Sequence, residues 1–293
     1  MKSLTSEQKS HLLKAVAHIN KAKLNEWYEL ATEDDRKFIG GDLVDNVFEA
    51  QLAHNTPESL IQAGETLDWQ CDNLYKGSEE QIEVALKANK VFEAEFALGL
   101  FSEAHGTLDW LYMQLPAEST EKMPTLLKAD KVFEAQLAIN TPESIDAAFQ
   151  ALSWQHDHFC DGSDEKEQAL LKADRVFDAE LAYELFSDAL RTLQWQCNAS
   201  ENYIDEPPII FKADKVFEAQ CARGLFTEAR ETLEWQRDHL ARHSAELEQI
   251  EQKITQFDNR KKFSAAIASF LDNLPEDTEQ NNPTVALKNR PGG

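Results

Sequence analysis

The feature that most constrains the fold of this chain is a seven-residue motif that occurs five times. VFEAQLA begins at Val47 and returns, with small changes, at Val91, Val132, Val176 and Val216, at intervals of 44, 41, 44 and 40 residues. A second block follows each copy and ends in tryptophan. These tryptophans are Trp69, Trp110, Trp154, Trp195 and Trp235, five of the six in the chain. Such a period is typical of tandem arrays in which each copy is one supersecondary unit.

The copies are of two lengths. The Val lies 22 residues before the Trp in copies 1 and 3, and 19 residues before it in copies 2, 4 and 5. Copies 1 and 2 recur as copies 3 and 4 at a shift of 85 residues, as from Val47 to Val132. This pattern indicates that a two-copy unit was duplicated and that a fifth copy follows it.

Each copy predicts two helices, which we name helix A and helix B. Helix A begins near the Lys-Ala-Asp-Lys segment before the motif, and its positions are counted from the Val, so that A+2 is the second residue after it. Apolar or small residues occupy A−3, A0, A+1, A+3, A+5 and A+6. Because this stripe is wider than one face, we expect helix A to be covered on two sides.

Helix B contains the Trp, from which its positions are counted. An apolar residue at B−9, Ala at B−6, Leu at B−2 and an apolar residue at B+5 in four copies follow a helical period. The alanines are Ala63, Ala104, Ala148, Ala189 and Ala229. They predict close packing of neighbouring helices, and the tryptophans are expected to fill the core between copies, each indole N–H donating to a carbonyl. A stacking platform for a ligand is the alternative role of the tryptophans.

Breaks in the pattern agree with this division. Thr56-Pro57-Glu58, and the same tripeptide in copy 3, combine an N-cap hydroxyl, a proline at the first helical position and an acid at the positive helix end. Gly99 and Gly224 suit the tighter A–B turn of the short copies, and Glu184 takes that place in copy 4. Prolines and further glycines are expected in the links between copies. They are Gly77, Pro116, Pro124, Gly162, Pro207 and Pro208.

The sequence therefore predicts an all-α chain, folded as a right-handed α-solenoid of about five helix–turn–helix repeats with helical caps at both ends. Residues 1–40 are expected to form the N-terminal cap, and residues 41–240 the five repeats. Residues 241–274 are expected to form C-terminal capping helices. Residues 275–293 are expected to be a disordered polar tail.

The repeat resembles the tetratricopeptide class of helical repeats. Gly224-Leu225-Phe226-Thr227-Glu228-Ala229 with Leu233 is similar to that family's turn and second helix, and the segment from Gly99 to Leu108 matches in the same way. The period here is 40–44 residues rather than 34, and the tryptophan is not part of the family pattern. The resemblance covers about residues 43–240 and implies a scaffold that binds other proteins on a concave face.

Composition excludes several classes of partner. The chain has 29 Lys and Arg against 53 Asp and Glu, so its formal charge of −24 opposes direct binding to nucleic acid or to an anionic membrane surface. No apolar stretch is long enough for a membrane span, and the N-terminus lacks the apolar region of a secretory signal. The four cysteines are scattered, as expected for reduced thiols in a cytoplasmic chain. Delivery into a host cell is left open by these residues.

An acidic residue occupies A+2 in all five copies. These acids are Glu49, Glu93, Glu134, Asp178 and Glu218. One interpretation pairs each acid with the base three residues earlier in the same helix, although copy 1 has Asn46 at that place. The other interpretation stacks the acids as a ladder that holds a basic segment of a protein partner. Both interpretations can hold together.

Metal and catalytic chemistry have little support in the sequence. His156-Asp157-His158 with Cys160 has metal-ligand residue types, but residues i and i+2 of a helix point apart, so no metal site is predicted. Other residue types occupy the position of His156 in the other copies, which favours a tolerant, partly exposed position. They are Cys71, Tyr112, Cys197 and Arg237. Residues 161–165 read as a linker with a helix cap. No catalytic or cofactor-binding motif is found, so no catalytic residue and no cofactor are predicted.

The leading functional hypothesis is a non-enzymatic, acidic scaffold or adaptor that binds a basic or amphipathic-helical segment of a protein partner. The alternative is a polyanion that imitates DNA and blocks a nucleic-acid-binding protein, which requires acids along a ridge at about phosphate spacing. A third hypothesis, an all-α enzyme with an unrecognised site, has the least support.

Overall fold

A computed structural model of the protein describes residues 3–16, 19–199, 207–240 and 245–272. Every regular element in these ranges is helical and none is a strand, so the predicted all-α class is confirmed. Within the two compact units described next, helices that follow one another along the chain pack together. The chain divides into two compact units, Met1–Glu201 and Asn202–Gly293, with the division between copies 4 and 5.

The first unit begins with three short helices and continues into copy 1. Their bounds are α1 Ser6–Lys14, α2 Lys21–Leu30, α3 Glu33–Phe38, a π-helical segment Ile39–Leu43, and α4 Val44–His54. From α3 to α4 the chain is helical throughout. Residue 40, where the sequence places the end of the cap, therefore lies inside a continuous helical segment.

The other helices of the first unit are α5 Pro57–Asp72, α6 Glu79–Leu86, α7 Ala88–Ala97, α8 Phe101–Gln114, α9 Lys122–Ile139, α10 Pro142–His158, α11 Asp164–Ala182 and α12 Phe186–Ala199. The second unit contains α13 Pro207–Ala222, α14 Phe226–His239 and α15 Ala245–Asp272. Helix A of the five copies is α4, α7, α9, α11 and α13, and α6 precedes α7 in copy 2. Helix B is α5, α8, α10, α12 and α14.

Helix A begins earlier than the sequence predicts. Pro124 lies in the first turn of α9, and Pro207 and Pro208 are the first residues of α13, although all three were expected in links. The first N–H groups of a helix have no intrahelical acceptor, so a proline there removes no hydrogen bond. In this chain, a proline near the start of a copy can therefore belong to the first turn of helix A and not to the link before it.

The predicted caps and turns are confirmed. The Thr56 hydroxyl accepts a hydrogen bond of 3.2 Å from the Ser59 N–H at the start of α5, and copy 3 repeats this contact with the same length. Gly99, Glu184 and Gly224 all have positive φ, at 76°, 60° and 76°. Glu184 holds the left-handed conformation at about 1 kcal/mol more than glycine would need, because its Cβ crowds the backbone.

The core lies between the A and B helices. The phenylalanine at A+1 is at most 1% exposed in copies 1 to 4, and the alanine at B−6 is fully buried in all five copies. Among the five tryptophans, Trp69 is buried and the others are half-buried. The residue at B+5 does not continue helix B as predicted, because it follows the last helical turn; Leu115 and Phe159 are nevertheless buried there.

A buried glutamine at B+1 fixes the register between the two helices of a copy. The side-chain amide of Gln155 donates to the Leu126 carbonyl at 2.7 Å, and Gln196 donates to the carbonyl of Leu170 at 3.0 Å. Both carbonyls lie at A−6. In copy 1 the acceptor of Gln70 is instead Gly40 at A−7, at 3.1 Å. The π-helical segment between Gly40 and α4 absorbs this additional residue.

The C-terminal end of the described chain is one helix, α15, where the sequence predicts capping helices in the plural. The predicted polar tail at 275–293 lies outside the described residues. None of the helices in the described part of the chain is long and apolar enough to cross a membrane.

Candidate interaction surface

The A+2 acids form ion pairs between copies rather than within one helix. Lys90 contacts Glu49 at 2.7 Å, and Lys131 contacts Glu93 at 3.5 Å. Arg175 contacts Glu134 through two parallel bonds of 2.5 and 2.9 Å, and this guanidinium lowers the pKa of the Glu134 carboxyl. In all three pairs the base at A−1 belongs to the copy that follows the acid. We name these pairs the A+2 ladder.

Helix geometry explains why these ion pairs form between the A helices of adjacent copies and not, as predicted, within one helix. Positions A−1 and A+2 are about 60° apart around the helix axis, so the base can lean toward the preceding helix A and the acid toward the following one. The first copy has no copy before it, and it carries Asn46 in place of the base, bound to the Asp42 carbonyl of its own helix at 2.6 Å. Copy 1 lacks the base at A−1 because each such base contacts the acid of the preceding copy, and copy 1 has no preceding copy.

A second ladder runs parallel to the first and was not anticipated. Lys87 contacts Asp45 at 2.5 Å, and Lys172 contacts Asp130 at the same distance. The base is at A−4 and the acid is at A−2 of the copy before it. Between copies 2 and 3 the acceptor is an amide, because Lys128 donates to the side-chain oxygen of Asn89. Two rows of bonds therefore join adjacent A helices within the first unit.

We expect the A+2 ladder to contribute modestly to stability, because its side chains are about half exposed. A double-mutant cycle on Glu134→Gln and Arg175→Gln should give a coupling free energy of about 0.5–1 kcal/mol by urea denaturation, falling when salt is raised to about 0.5 M. Glu143→Gln, at an acid without an ion pair among the described residues, is the matched control. A coupling indistinguishable from zero at low salt would contradict the assignment.

Two of the tryptophans also bond from copy to copy, but their acceptors differ from the prediction. The indole N–H of Trp110 donates to Asp68 at 3.1 Å, and that of Trp154 donates to Asp109 at 2.7 Å. Each acceptor is the side chain one residue before the Trp of the preceding copy, not a backbone carbonyl. Burial opposes ionisation of Asp68, but the bonds from Lys21 and Trp110 keep the pKa of its carboxyl below the usual value.

The position of His156 is buried in copies 1 and 3, whereas in copies 2, 4 and 5 it is partly exposed as predicted. His156 is 5% exposed and Cys71, its equivalent in copy 1, is 3% exposed. Burial raises the pKa of the Cys71 thiol to about 12 and lowers the pKa of His156, so both are held neutral at pH 7. His156 packs its ring against Trp195. No group of three or more His, Cys, Asp or Glu side chains in the described ranges could hold a metal ion.

The A–B turns of copies 2 to 4 carry exposed apolar side chains at A+7. Leu98, Ile139 and Tyr183 are between 41% and 49% exposed. The A+2 ladder joins the helices that carry them, so successive turns are neighbours. The Tyr183 hydroxyl also donates to the Asn140 carbonyl in the turn of the preceding copy. We name this row of three side chains the turn edge.

Acidic residues accompany the turn edge. Glu103 and Glu143 lie in the first turn of α8 and α10, are exposed, and form no ion pair among the described residues. Asp188 occupies the corresponding turn of α12 and lies 3.4 Å from Arg191. A carboxylate in a first helical turn interacts favourably with the helix dipole, which accounts for part of this pattern. The turn edge therefore combines apolar contact area with negative charge.

A row of buried polar side chains at A+4 was also missed by the sequence analysis. Gln51 and Gln220 accept hydrogen bonds of 2.8 Å from threonine hydroxyls at B−3 of the same copy. In copy 2 the buried residue is Glu95, whose carboxylate accepts from Thr107 at 2.7 Å, although burial raises its pKa. The signal in the sequence is the alternation of Gln and Glu at the fifth residue of the motif.

Glu180 is the exception in this row. It is 1% exposed, and neither of its carboxyl oxygens has a hydrogen-bond partner. The hydroxyl of Thr192, at the position that supplies the donor in other copies, is also unpartnered. Burial raises the pKa of Glu180 to about 7, and the Thr192 hydroxyl close to it offsets only part of this rise. This carboxyl is therefore largely protonated below neutral pH.

No protein-family model matches the chain, and no curated protein matches it. The likeness to tetratricopeptide repeats thus depends on the residues of the turn and second helix described above.

Proposed function

We propose that the chain is a non-enzymatic scaffold, built as a right-handed α-solenoid of five repeats, that binds a basic amphipathic helix of a protein partner along the turn edge. The observation that carries the proposal is that Leu98, Ile139 and Tyr183 are exposed at the same position of three successive copies, with unpaired acids in the first turns of the helices that follow two of them. Exposed apolar side chains rimmed by charge are typical of protein-binding surfaces.

The spacing of the turn edge suits a helix laid across it. Adjacent packed helices are about 8–10 Å apart, so apolar side chains at equivalent positions of three successive A helices repeat at about that interval. A partner helix advances about 10 Å in seven residues, so apolar residues at heptad spacing can meet all three turns. Lysines and arginines on its flanks would lie near Glu103 and Glu143.

The ion-pair pattern also bears on the two other functional hypotheses. A DNA mimic needs a row of unpaired carboxylates, but Glu49, Glu93 and Glu134 are each paired with a base. The A+2 acids of copies 1 to 3 therefore stabilise the array and are not free to imitate phosphates. For an enzyme, the sequence offers no catalytic motif. The sequence predicts that the A+2 acids bind the partner. Because those of copies 1 to 3 are already paired, we propose the turn edge as the binding surface instead.

Two synthetic peptides of about 21 residues test the proposal. Both carry leucines at heptad spacing, and one has lysine where the other has glutamate. We expect the lysine peptide to bind with an affinity that falls as salt increases, and the glutamate peptide not to bind, because only the lysine peptide complements Glu103 and Glu143. Fluorescence anisotropy of labelled peptides measures both.

The triple variant Leu98→Gln, Ile139→Gln and Tyr183→Gln removes the apolar part of the turn edge and should weaken binding by about tenfold or more. Met113→Gln is the matched control, since Met113 is 67% exposed but lies outside the turn edge. Affinity purification with each variant tests natural partners in the same way. A partner that binds the turn edge should be lost with the triple variant and retained with the control. Equal binding by both variants would refute the turn edge as the site.

A further inference from the structure

The last helix of the described chain takes the place of a sixth helix A. Lys253 of α15 contacts Asp214 of α13 at 2.7 Å. Asp214 is the A−2 acid of copy 5, so Lys253 is equivalent to the A−4 bases Lys87 and Lys172. This register places Phe257 of α15 at the position of the motif Val. Arg230 of α14 contacts Asp258 at 2.9 Å, one residue later, where the other copies have phenylalanine.

The pairing of the A+2 ladder has no counterpart at this helix. The register places Gln256 where the preceding copies have Lys90, Lys131 or Arg175. Glu218, the A+2 acid of copy 5, consequently forms no ion pair with a described residue. A small cavity of about 150 Å³ adjoins it, lined in part by Gln256 and Arg260.

A larger cavity of about 360 Å³ lies next to this one, within the second unit, and a short side chain lines it where the other copies have a longer one. Position A+5 holds Leu or Phe in copies 1 to 4 but Cys221 in copy 5. In copy 2 the A+5 side chain, Phe96, packs edge-on against Phe101 at 5.1 Å. The equivalent of Phe101 in copy 5 is Phe226, which lacks that partner and is 50% exposed.

The walls of the larger cavity are aromatic and its rim is charged. Phe257 lies 5.7 Å from Phe217 and 6.2 Å from Phe226, measured between ring centres. Arg260 and Lys261 line the cavity with Glu218, and neither base forms an ion pair with a described residue. The titratable lining thus has two positive groups and one negative group, in a chain of net charge −24.

From this arrangement we infer a binding site for a small aromatic or aliphatic molecule with one anionic group. Its apolar body would occupy the space left by Cys221 among the three phenylalanines, and its carboxylate or sulfonate would contact Arg260 and Lys261. The volume is within the range of small-molecule sites, and charge-assisted bonds from two bases favour an anion over a neutral molecule of the same shape. Glu218 would exclude a second anionic group on its side.

Two fluorescent probes of matched shape test the site in the full chain. Anilinonaphthalene sulfonate carries one negative charge, and N-phenylnaphthylamine is its uncharged analogue. We expect the wild-type chain to bind the sulfonate about tenfold or more tightly than the neutral probe, as expected for a bond to a charged group. Equal affinities for the two probes would overturn the charge assignment.

Cys221→Leu restores the residue type of copies 1, 3 and 4 and should narrow the cavity without disturbing the fold. We expect it to reduce sulfonate binding by about tenfold or more while the thermal midpoint stays equal or rises. The probe could also bind the apolar cavity of the N-terminal helices beside Trp27. The difference in sulfonate binding between wild type and Cys221→Leu therefore measures binding at the cavity beside Cys221 alone. In the double variant Arg260→Gln and Lys261→Gln, the sulfonate should bind more weakly, and the affinity of the neutral probe should not change. Sulfonate binding unchanged in Cys221→Leu would place the probe elsewhere and overturn the inference.

Discussion

Glu180→Gln is expected to stabilise the protein by about 3 kcal/mol near pH 8 and to have little effect near pH 4. Glu180 is almost fully buried, its carboxyl oxygens lack hydrogen-bond partners, and its pKa is raised from 4.5 to about 7. Glutamine has nearly the same shape and carries no charge. It already occupies this position in copies 1, 3 and 5.

The direction follows from proton linkage. Below the unfolded-state pKa of 4.5, Glu180 is protonated in both the folded and the unfolded chain and has no pH-dependent effect. As pH rises from 4.5 to about 7, the unfolded chain ionises first, so the folded chain binds more protons and its stability falls. Above about pH 7 the wild-type chain has lost all the stability that depends on the protonation of Glu180. Only there does the glutamine variant reach its full stability difference from wild type.

Urea denaturation of wild type and variant at several pH values measures this effect, because the difference between them cancels the titration of the other carboxyls. Glu95→Gln is the matched control. The carboxylate of Glu95 accepts a hydrogen bond from Thr107, so its gain at high pH should be smaller. A stability difference between wild type and Glu180→Gln that does not change with pH would show that folding does not raise the pKa of Glu180.

Phe133→Ala is expected to destabilise the first unit by about 3–5 kcal/mol, which is a large fraction of the roughly 5–15 kcal/mol total stability of a typical domain. Phe133 at A+1 of copy 3 is fully buried and lies in the core cluster with Ile145 and Ala148. Removal of its ring leaves a cavity that the surrounding helices can fill only in part. Thermal and urea denaturation followed by circular dichroism measures the loss.

Leu127→Ala is the control for this substitution. Leu127 lies in the same helix, α9, but is 46% exposed, so we expect a loss of less than about 1 kcal/mol. Similar losses for the two substitutions would mean that Phe133 is not in a close-packed core.

The elements that follow from local chemistry were predictable from the sequence. The hydroxyl and proline at Thr56-Pro57, the glycine turns and the apolar spacing within helices A and B depend on residues a few positions apart, and the repetition of the motif shows them five times. The burial of the A+1 phenylalanines follows from the same periodicity. These features gave the helices and their order.

The bonds between copies were not predictable in the same way. Lys131 and Glu134 are three residues apart, which favours a pair within one helix, yet Lys131 bonds to Glu93 and Glu134 to Arg175. The choice depends on how close the next helix lies, which is a tertiary property. The substitution of Asn46 for the base in copy 1 was the signal in the sequence. The turn edge gave a weaker signal, since three apolar residues in turns have no helical period.

The direction of the two ladders has a consequence for how such a chain can lengthen. Copies 2 and 3 each present an A+2 acid to the copy that follows and an A−1 base to the copy before, so one copy is complementary to another of the same kind. Insertion of a duplicated pair of copies, such as the 85-residue shift in this sequence, creates a junction whose charges already match on both sides. Growth by gene duplication therefore requires no compensating substitutions at the new boundary. The ends alone must change, as Asn46 and Gln256 have.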